Sequence, residues 1–210
     1  MFALACAYDD AECGRDCAIG IKNYLIMGTS YYSQSELVGL GLKSYGQNVY
    51  ISRFAQFYGA NRISIGDNVR IDDFCVFCGD VTIGSNIHIA PYCILYGEYG
   101  IQMDDYSGLS ARVTVYSASD DFSGEWAVGP MVDESLRKLT KGKVHIEKYV
   151  QLGAGCVVFP DLTIGENTSV GAMSLVNKTL ERGGVYAGIP ARKIKDRKDR
   201  NIQIINDFMS

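Results

Sequence analysis

Ile65-Gly66-Asp67-Asn68-Val69-Arg70-Ile71-Asp72-Asp73-Phe74-Cys75-Val76-Phe77 carries a large apolar residue at every sixth position, and Ile83-Gly84-Ser85-Asn86-Ile87-His88-Ile89-Ala90-Pro91-Tyr92-Cys93-Ile94-Leu95 repeats the beat. It returns at Ile146, Leu152 and Val158, then at Ile164, Val170 and Val176. A six-residue unit is one short strand plus a corner. The repeated aliphatic points inward and stacks on its counterpart one coil away, and the residue four places on fills a tight inner corner. That is the sequence signature of a parallel β-helix built from hexapeptide repeats. One repeat cannot bury its own apolar face, whereas a stack can.

Three units make a coil, so Ile71, Ile89, Leu109 and Leu152 are expected to share one face and Phe77, Leu95, Val115 and Val158 the next. The Gly and Asn of Gly66-Asp67-Asn68, Gly84-Ser85-Asn86 and Gly165-Glu166-Asn167 are expected at bends, where both tolerate unusual φ values. The beat slips by two residues between Phe57 and Ile65 and again between Leu95 and Met103, which reads as two widened corners. The expected class is all-β, with one long loop and short helices at the two ends.

Working outward, residues 1–32 carry no repeat and read as a leader, its first 26 residues expected to be an extension upstream of Met27. Ser33-Gln34-Ser35-Glu36 fits a capping box opening a short helix through Leu37 and Leu40. The β-helix domain is assigned to residues 33–193. The beat stops over 117–143, which holds Asp120, Asp121 and the only Trp; a long loop leaving a rigid scaffold commonly carries function. Residues 194–210 are expected to form a helical tail, with Ile202, Ile205, Phe208 and Met209 at helical spacing.

Composition narrows the classes. With 210 residues, 47% hydrophobic and 21% charged, the chain suits one folded domain. A net charge of −4 argues against nucleic acid. No run of 18 apolar residues suggests a membrane span, and the apolar start lacks a basic region before Asp9 and Asp10, so no export signal is read. Seven cysteines, an odd number without such a signal, suggest a reducing cytoplasm. Cys75 and Cys78 form a CxxC, but Cys75, Cys93 and Cys156 each fall in the small-residue slot of the repeat, which favours packing over a metal or redox role. Cys6, Cys13 and Cys17 match no zinc spacing, and no metal is expected.

The coils, the single long loop and the ending Tyr186-Ala187-Gly188-Ile189-Pro190-Ala191-Arg192-Lys193-Ile194 resemble the hexapeptide acyltransferase superfamily over about residues 45–195. The resemblance, rather than the spacing, implies the left hand of the helix, an exception to the right-handed crossover rule. It also implies a homotrimer with acyl-CoA bound between subunits. A narrower likeness runs back to about Ser30. Ile71-Asp72-Asp73-Phe74-Cys75, His88-Ile89-Ala90, Tyr116 and Asp120-Asp121-Phe122-Ser123-Gly124 resemble the nucleotide-linked amino-sugar N-acyltransferases of the anthrose-pathway type. Those enzymes acylate the amine of a dTDP-4-amino-4,6-dideoxy sugar.

One departure bears on the substrate. Many O-acetyltransferases of the superfamily carry a catalytic His where the loop begins, and here that position is Ala118. A sugar hydroxyl needs a positioned general base. An amine, with a reference value near about 8 for an α-amino group, is partly neutral already. Loss of the His therefore favours N-acylation by direct attack on acetyl-CoA or another short acyl-CoA.

The resemblance implies that Asp120 hydrogen-bonds the amine and offsets its developing charge, the final proton acceptor being Asp120 or the departing thiolate; the plainer alternative is a carboxylate capping a turn. Ser110 matches a site Ser of those enzymes and points outward after core Leu109. His88, outward before Ile89, falls near Ser110 and can touch substrate or act as base. For the sugar nucleotide the candidates are Asp121, Tyr116, Arg70 against a diphosphate and Tyr92 against the base. In the superfamily, corners such as Gly153-Ala154 and Ala172-Met173 line the pantetheine tunnel, and Arg192 and Lys193, with Lys178 behind them, suit the CoA phosphates. No Gly-rich phosphate loop points to ATP or NAD. Two rivals stand beside this reading: a sugar O-acetyltransferase with His88 as base, and a non-catalytic β-helix that binds a sugar nucleotide.

Overall fold

The computed structural model describes residues 30–209. The three leader cysteines and the expected start at Met27 lie outside them. The rest is a left-handed parallel β-helix with a short capping helix at one end and a longer helix at the other.

One face is a stack of seven parallel rungs, from Val49–Ile51 through Ile87–Ile89 and Gln151–Leu152 to Gly184–Gly188. Its inward column runs Ile51, Ile71, Ile89, Leu109, Leu152 and Val170 in register. A second column runs Phe57, Phe77, Leu95, Val115, Val158 and Val176. A third runs Ile65, Ile83, Met103, Ile146 and Ile164. All three columns meet in one buried core, and Phe57 alone among them is only half-buried. The six-residue beat thus maps onto rungs as expected. Each fully buried Leu, Ile, Val or Phe contributes about 1.5–3 kcal/mol of apolar burial, and only the stack supplies enough of them.

Both slips are widened corners. Between Tyr58 and Ile63 the chain takes two more residues than between their partners Cys78 and Val81, using Gly59 in the left-handed region and a turn of 3-10 helix over Ala60–Arg62. The Gly97–Ile101 corner is likewise two residues longer than Gly79–Val81. Arg62 braces the bulge by bonding Asp80 at 2.8 Å and Glu98 at 3.1 Å.

The corner chemistry differs from the expectation in one respect. Asn68, Asn86 and Asn167 do hold φ between +53° and +60°, but Gly66, Gly84 and Gly165 do not. Those glycines are required by contact with the next coil: a Cβ on Gly84 would sit 2.9 Å from the backbone nitrogen of Asp105, and one on Gly165 would sit 2.6 Å from that of Arg182. Coils touch at the corners, so glycine is there for lack of volume and asparagine for its φ.

The termini follow local signals. Glu36 reaches back to the Ser33 N–H at 2.8 Å and opens the Gln34–Leu37 helix, which buries Leu37 over the first coil. At the far end the strand Ala191–Asp196 folds back antiparallel on Gly184–Gly188, so the β-structure passes the expected boundary at 193 and the helix spans Arg200–Met209. Residues 117–143 leave the stack between the strands Thr114–Tyr116 and Val144–Ile146, in place of a corner.

Gly66→Ala forces a Cβ within 2.7 Å of the Gly84 backbone, while Gly39→Ala meets nothing within 4 Å. The first should lose about 1–3 kcal/mol, as overpacked sites do, and the second should stay within about 0.5 kcal/mol of wild type. Calorimetric melting of both variants checks this; equal melting temperatures would contradict the account of the corners.

Candidate active site

The loop is pinned at its neck. The buried Ser117 hydroxyl donates to the Tyr96 carbonyl at 2.7 Å and accepts the Tyr99 N–H at 2.9 Å. Beyond it, Ala118–Asp120 pairs antiparallel with Leu139–Lys141. This ribbon places Asp120 at the wall of a cavity of about 760 Å³, together with Tyr96, Tyr116, Ala118, Arg137 and Phe159. Tyr96 and Tyr116 stack with centroids 5.3 Å apart on successive rungs. Asp120 Oδ1 accepts from Arg137 Nη2 at 3.1 Å, and both side chains are largely buried. The second carboxylate oxygen has no hydrogen bond among the described residues. Asp121 is not among the lining residues. It caps the turn at Ser123, whose hydroxyl and N–H hold its carboxyl below the ordinary value, with Lys138 3.5 Å away.

A second cavity, of about 520 Å³, lies on the seven-rung face under the C-terminal helix and brings His88 and Ser110 together with Ser107, Gln151 and Asn201. His88 and Gly108 are register partners, and Ser110 follows two places on. Behind His88 stands a carboxylate the sequence reading passed over. Asp72 is 6% exposed and collects three partners: the Tyr31 hydroxyl, Arg70 Nε and His88 Nε2, each at 2.7 Å. Burial alone would raise its carboxyl, but hydrogen bonds from His88, Tyr31 and Arg70 outweigh that and hold it below the ordinary value. Burial, and then the hydrogen bond to that carboxylate, push the Tyr31 hydroxyl up to about 12.

Arg70, expected against a diphosphate, therefore has Nε on Asp72 and its guanidinium 5.6 Å above the Tyr31 ring. Tyr92 lines neither cavity; it stacks on Phe74 at 5.0 Å along an exposed corner. The signal for Asp72 was present: it follows Ile71 as Ser110 follows Leu109, so both point outward. Arg137 had no such signal, because the loop has no period.

The small corners lie at the far end of the stack. A Cβ on Gly153 would sit 2.5 Å from the Ala172 nitrogen, and Met173 N–H bonds Ala154 O at 2.8 Å, so the coils meet backbone to backbone here, with the Met173 side chain exposed at the edge. The hairpin beside it bonds Gly188 N–H to the Ser174 hydroxyl and carries Arg192 and Lys193, both exposed; Lys193 pairs with Asp196 at 2.8 Å. Lys178 is also exposed, two residues past Val176. Backbone, small corners and cations fit a pantetheine chain ending in phosphates. Cys75, Cys93 and Cys156 are buried, each with its thiol on a carbonyl of the next coil, whereas Cys78 is half-buried.

Comparison with known proteins follows the same lines. Residues 62–97 match the family model described as bacterial transferase hexapeptide, six repeats. Over 182 residues, 85% of this chain and 95% of the relative, the sequence is 39% identical to dTDP-4-amino-4,6-dideoxy-D-glucose acyltransferase of Escherichia coli. The chain belongs to the hexapeptide amino-sugar N-acyltransferases. Its fold superposes with a TM-score of 0.85 on AntD, an N-acyltransferase of Bacillus cereus solved with dTDP and 3-hydroxybutyryl-CoA, at 48% identity over 86% of this chain and 97% of that one. Another AntD complex holds dTDP-4-amino-4,6-dideoxyglucose and coenzyme A, at 47% identity over 87% and 98%. Solved AntD variants replace a Ser and an Asp that stand ten positions apart in that family member.

Because the folded Asp72 carboxyl lies below its ordinary value, its contribution to stability is fully present above about pH 4 and is lost as pH falls through the lower folded value. Urea midpoints measured from pH 7 to pH 3 should fall less steeply in Asp72→Asn, which starts lower, than in wild type. Parallel curves would contradict this.

Proposed function

We propose that this protein transfers a short acyl group from CoA to the amine of a dTDP-linked 4-amino-4,6-dideoxy sugar. The observation that carries the reading is near-full-length identity to two such acyltransferases, joined to one detail: Ser110 and Asp120 are ten positions apart, the separation of the Ser and Asp varied in AntD. Ala118 at the start of the loop adds the argument against a hydroxyl acceptor.

In the proposed reaction the amine lone pair attacks the thioester carbonyl. The C–N bond forms, the C–S bond breaks, and the amine proton ends on the departing sulfur. No acyl-enzyme intervenes. The free oxygen of Asp120 accepts an N–H of the amine, orienting its lone pair and offsetting the charge that develops on nitrogen. Ser110 donates to the thioester oxygen, and His88 contacts the sugar. Tyr116, Asp121, Arg70 and Tyr92 remain candidates for the sugar-nucleotide side. The pantetheine follows Gly153-Ala154 and Ala172-Met173 toward Arg192, Lys193 and Lys178.

The assembly in this reading is a cytoplasmic homotrimer with sites between subunits, feeding a surface polysaccharide. Its support is that one protomer keeps Ser110 and His88 in one cavity and Asp120 in the other. A second copy can bring the two sets together.

Thiol release from acetyl-CoA and 3-hydroxybutyryl-CoA should be fast with dTDP-4-amino-4,6-dideoxyglucose and absent with a free galactoside. Asp120→Ala, with its melting temperature retained, should lower kcat/KM by about 100-fold or more. Release with the galactoside alone would move the reading to O-acetylation with His88 as base, and undiminished turnover in Asp120→Ala would remove that residue from the chemistry.

A further inference from the structure

We propose that Asp72 fixes His88 as the Nε2–H tautomer, so that Nδ1 presents a lone pair to an N–H or O–H of the sugar substrate beside Ser110. Asp72 is then a positioning residue, and this deepens the amino-sugar reading on which it rests.

The geometry sets the proton. Tyr31 and Arg70 both donate to Asp72 Oδ1, and His88 Nε2 meets Oδ2, all at 2.7 Å. A carboxylate with two donors on one oxygen stays ionised and can only accept, so the proton between Oδ2 and the ring sits on Nε2. Nδ1, across the ring, has no hydrogen bond among the described residues. The His88 side chain is 54% exposed and lines the cavity that also holds Ser110. Its register partner is Gly108, which puts no side chain beside the ring.

A lone-pair acceptor on His88 suits a ligand carrying N–H and O–H donors on one small ring, as an amino sugar does. Tyr31 and Arg70 act at one remove: they hold the carboxylate that holds the imidazole.

The chain has only two histidines, which makes the test direct. Two-bond proton–nitrogen correlation spectra of 15N-labelled free enzyme at pH 8.5, well above the ordinary imidazole value of about 6.5, report the tautomer of each ring. His88 should show the Nε2–H pattern, and so should His145, whose Nε2 lies 2.8 Å from Asp104. In Asp72→Asn the side-chain oxygen stays with Tyr31 and Arg70, so the amide nitrogen faces the ring and can only donate. His88 should then switch to Nδ1–H and kcat/KM for the amino sugar should fall about tenfold or more. The unchanged His145 pattern shows that the fold is retained, and Tyr31→Phe should keep the Nε2–H pattern. An Nδ1–H pattern at His88 in wild type, no switch in Asp72→Asn, or a switch with unchanged kcat/KM would each overturn the proposal. The tautomer is read without substrate, so its failure is distinct from failure of the amino-sugar reading, which shows as wild-type inactivity toward that acceptor.

Discussion

Everything in this molecule depends on coils stacking at backbone contact along their corners. Gly66, Gly84, Gly153 and Gly165 allow that approach, since an added Cβ at each would fall inside the next coil. The inward columns then stack in register, and the apolar residues of each rung are covered by the rungs on either side. The same contact fixes the outward side chains. Once Ile71, Ile89 and Leu109 are aligned, the residues flanking them are placed to within one rung, and Arg70, Asp72, His88 and Ser110 become neighbours on a rigid surface. Side chains held on a surface of this kind need little help from flexible segments to keep their places.

The one long interruption works because it is anchored. Ser117 ties its neck to Tyr96 and Tyr99, and the antiparallel ribbon holds Asp120 beside a wall of stacked tyrosines. Arg137 then takes one oxygen of Asp120 and leaves the other open. Two carboxylates that look alike in sequence, Asp120 and Asp121, end in different roles: one lines a cavity, the other caps a turn. Asp72 and Asp73 divide similarly, the first bonding Tyr31, Arg70 and His88 and the second accepting from Ser52. Short-range context, rather than residue type, makes these distinctions.

Most of the fold was legible because a period of six is a geometric statement. Both expected columns, the two widened corners and the capped first helix follow from it and from local signals. The role of the corner glycines was not, because a sequence does not show whether a glycine answers a dihedral angle or a neighbour's volume. The site was legible only in part. Residues tied to the beat, such as Ser110 and His88, were placed together correctly. Asp72 carried the same outward signal as Ser110, but its partner Tyr31 lies 41 positions away in the unpatterned leader, so the network was hidden. Arg137 lies in the aperiodic loop, where spacing says nothing about facing. Tyr92 was one of 14 tyrosines, and composition offers no way to choose among them.

The bond that this protein makes is an amide. Product formed from isotopically labelled acetyl-CoA and dTDP-4-amino-4,6-dideoxyglucose can be freed of residual acetyl-CoA, treated with alkaline hydroxylamine, which cleaves oxygen esters and leaves amides intact, and then weighed by mass spectrometry. The label should stay on the sugar nucleotide. Release of the label as acetohydroxamate would mean that a hydroxyl had been acylated, and would contradict this.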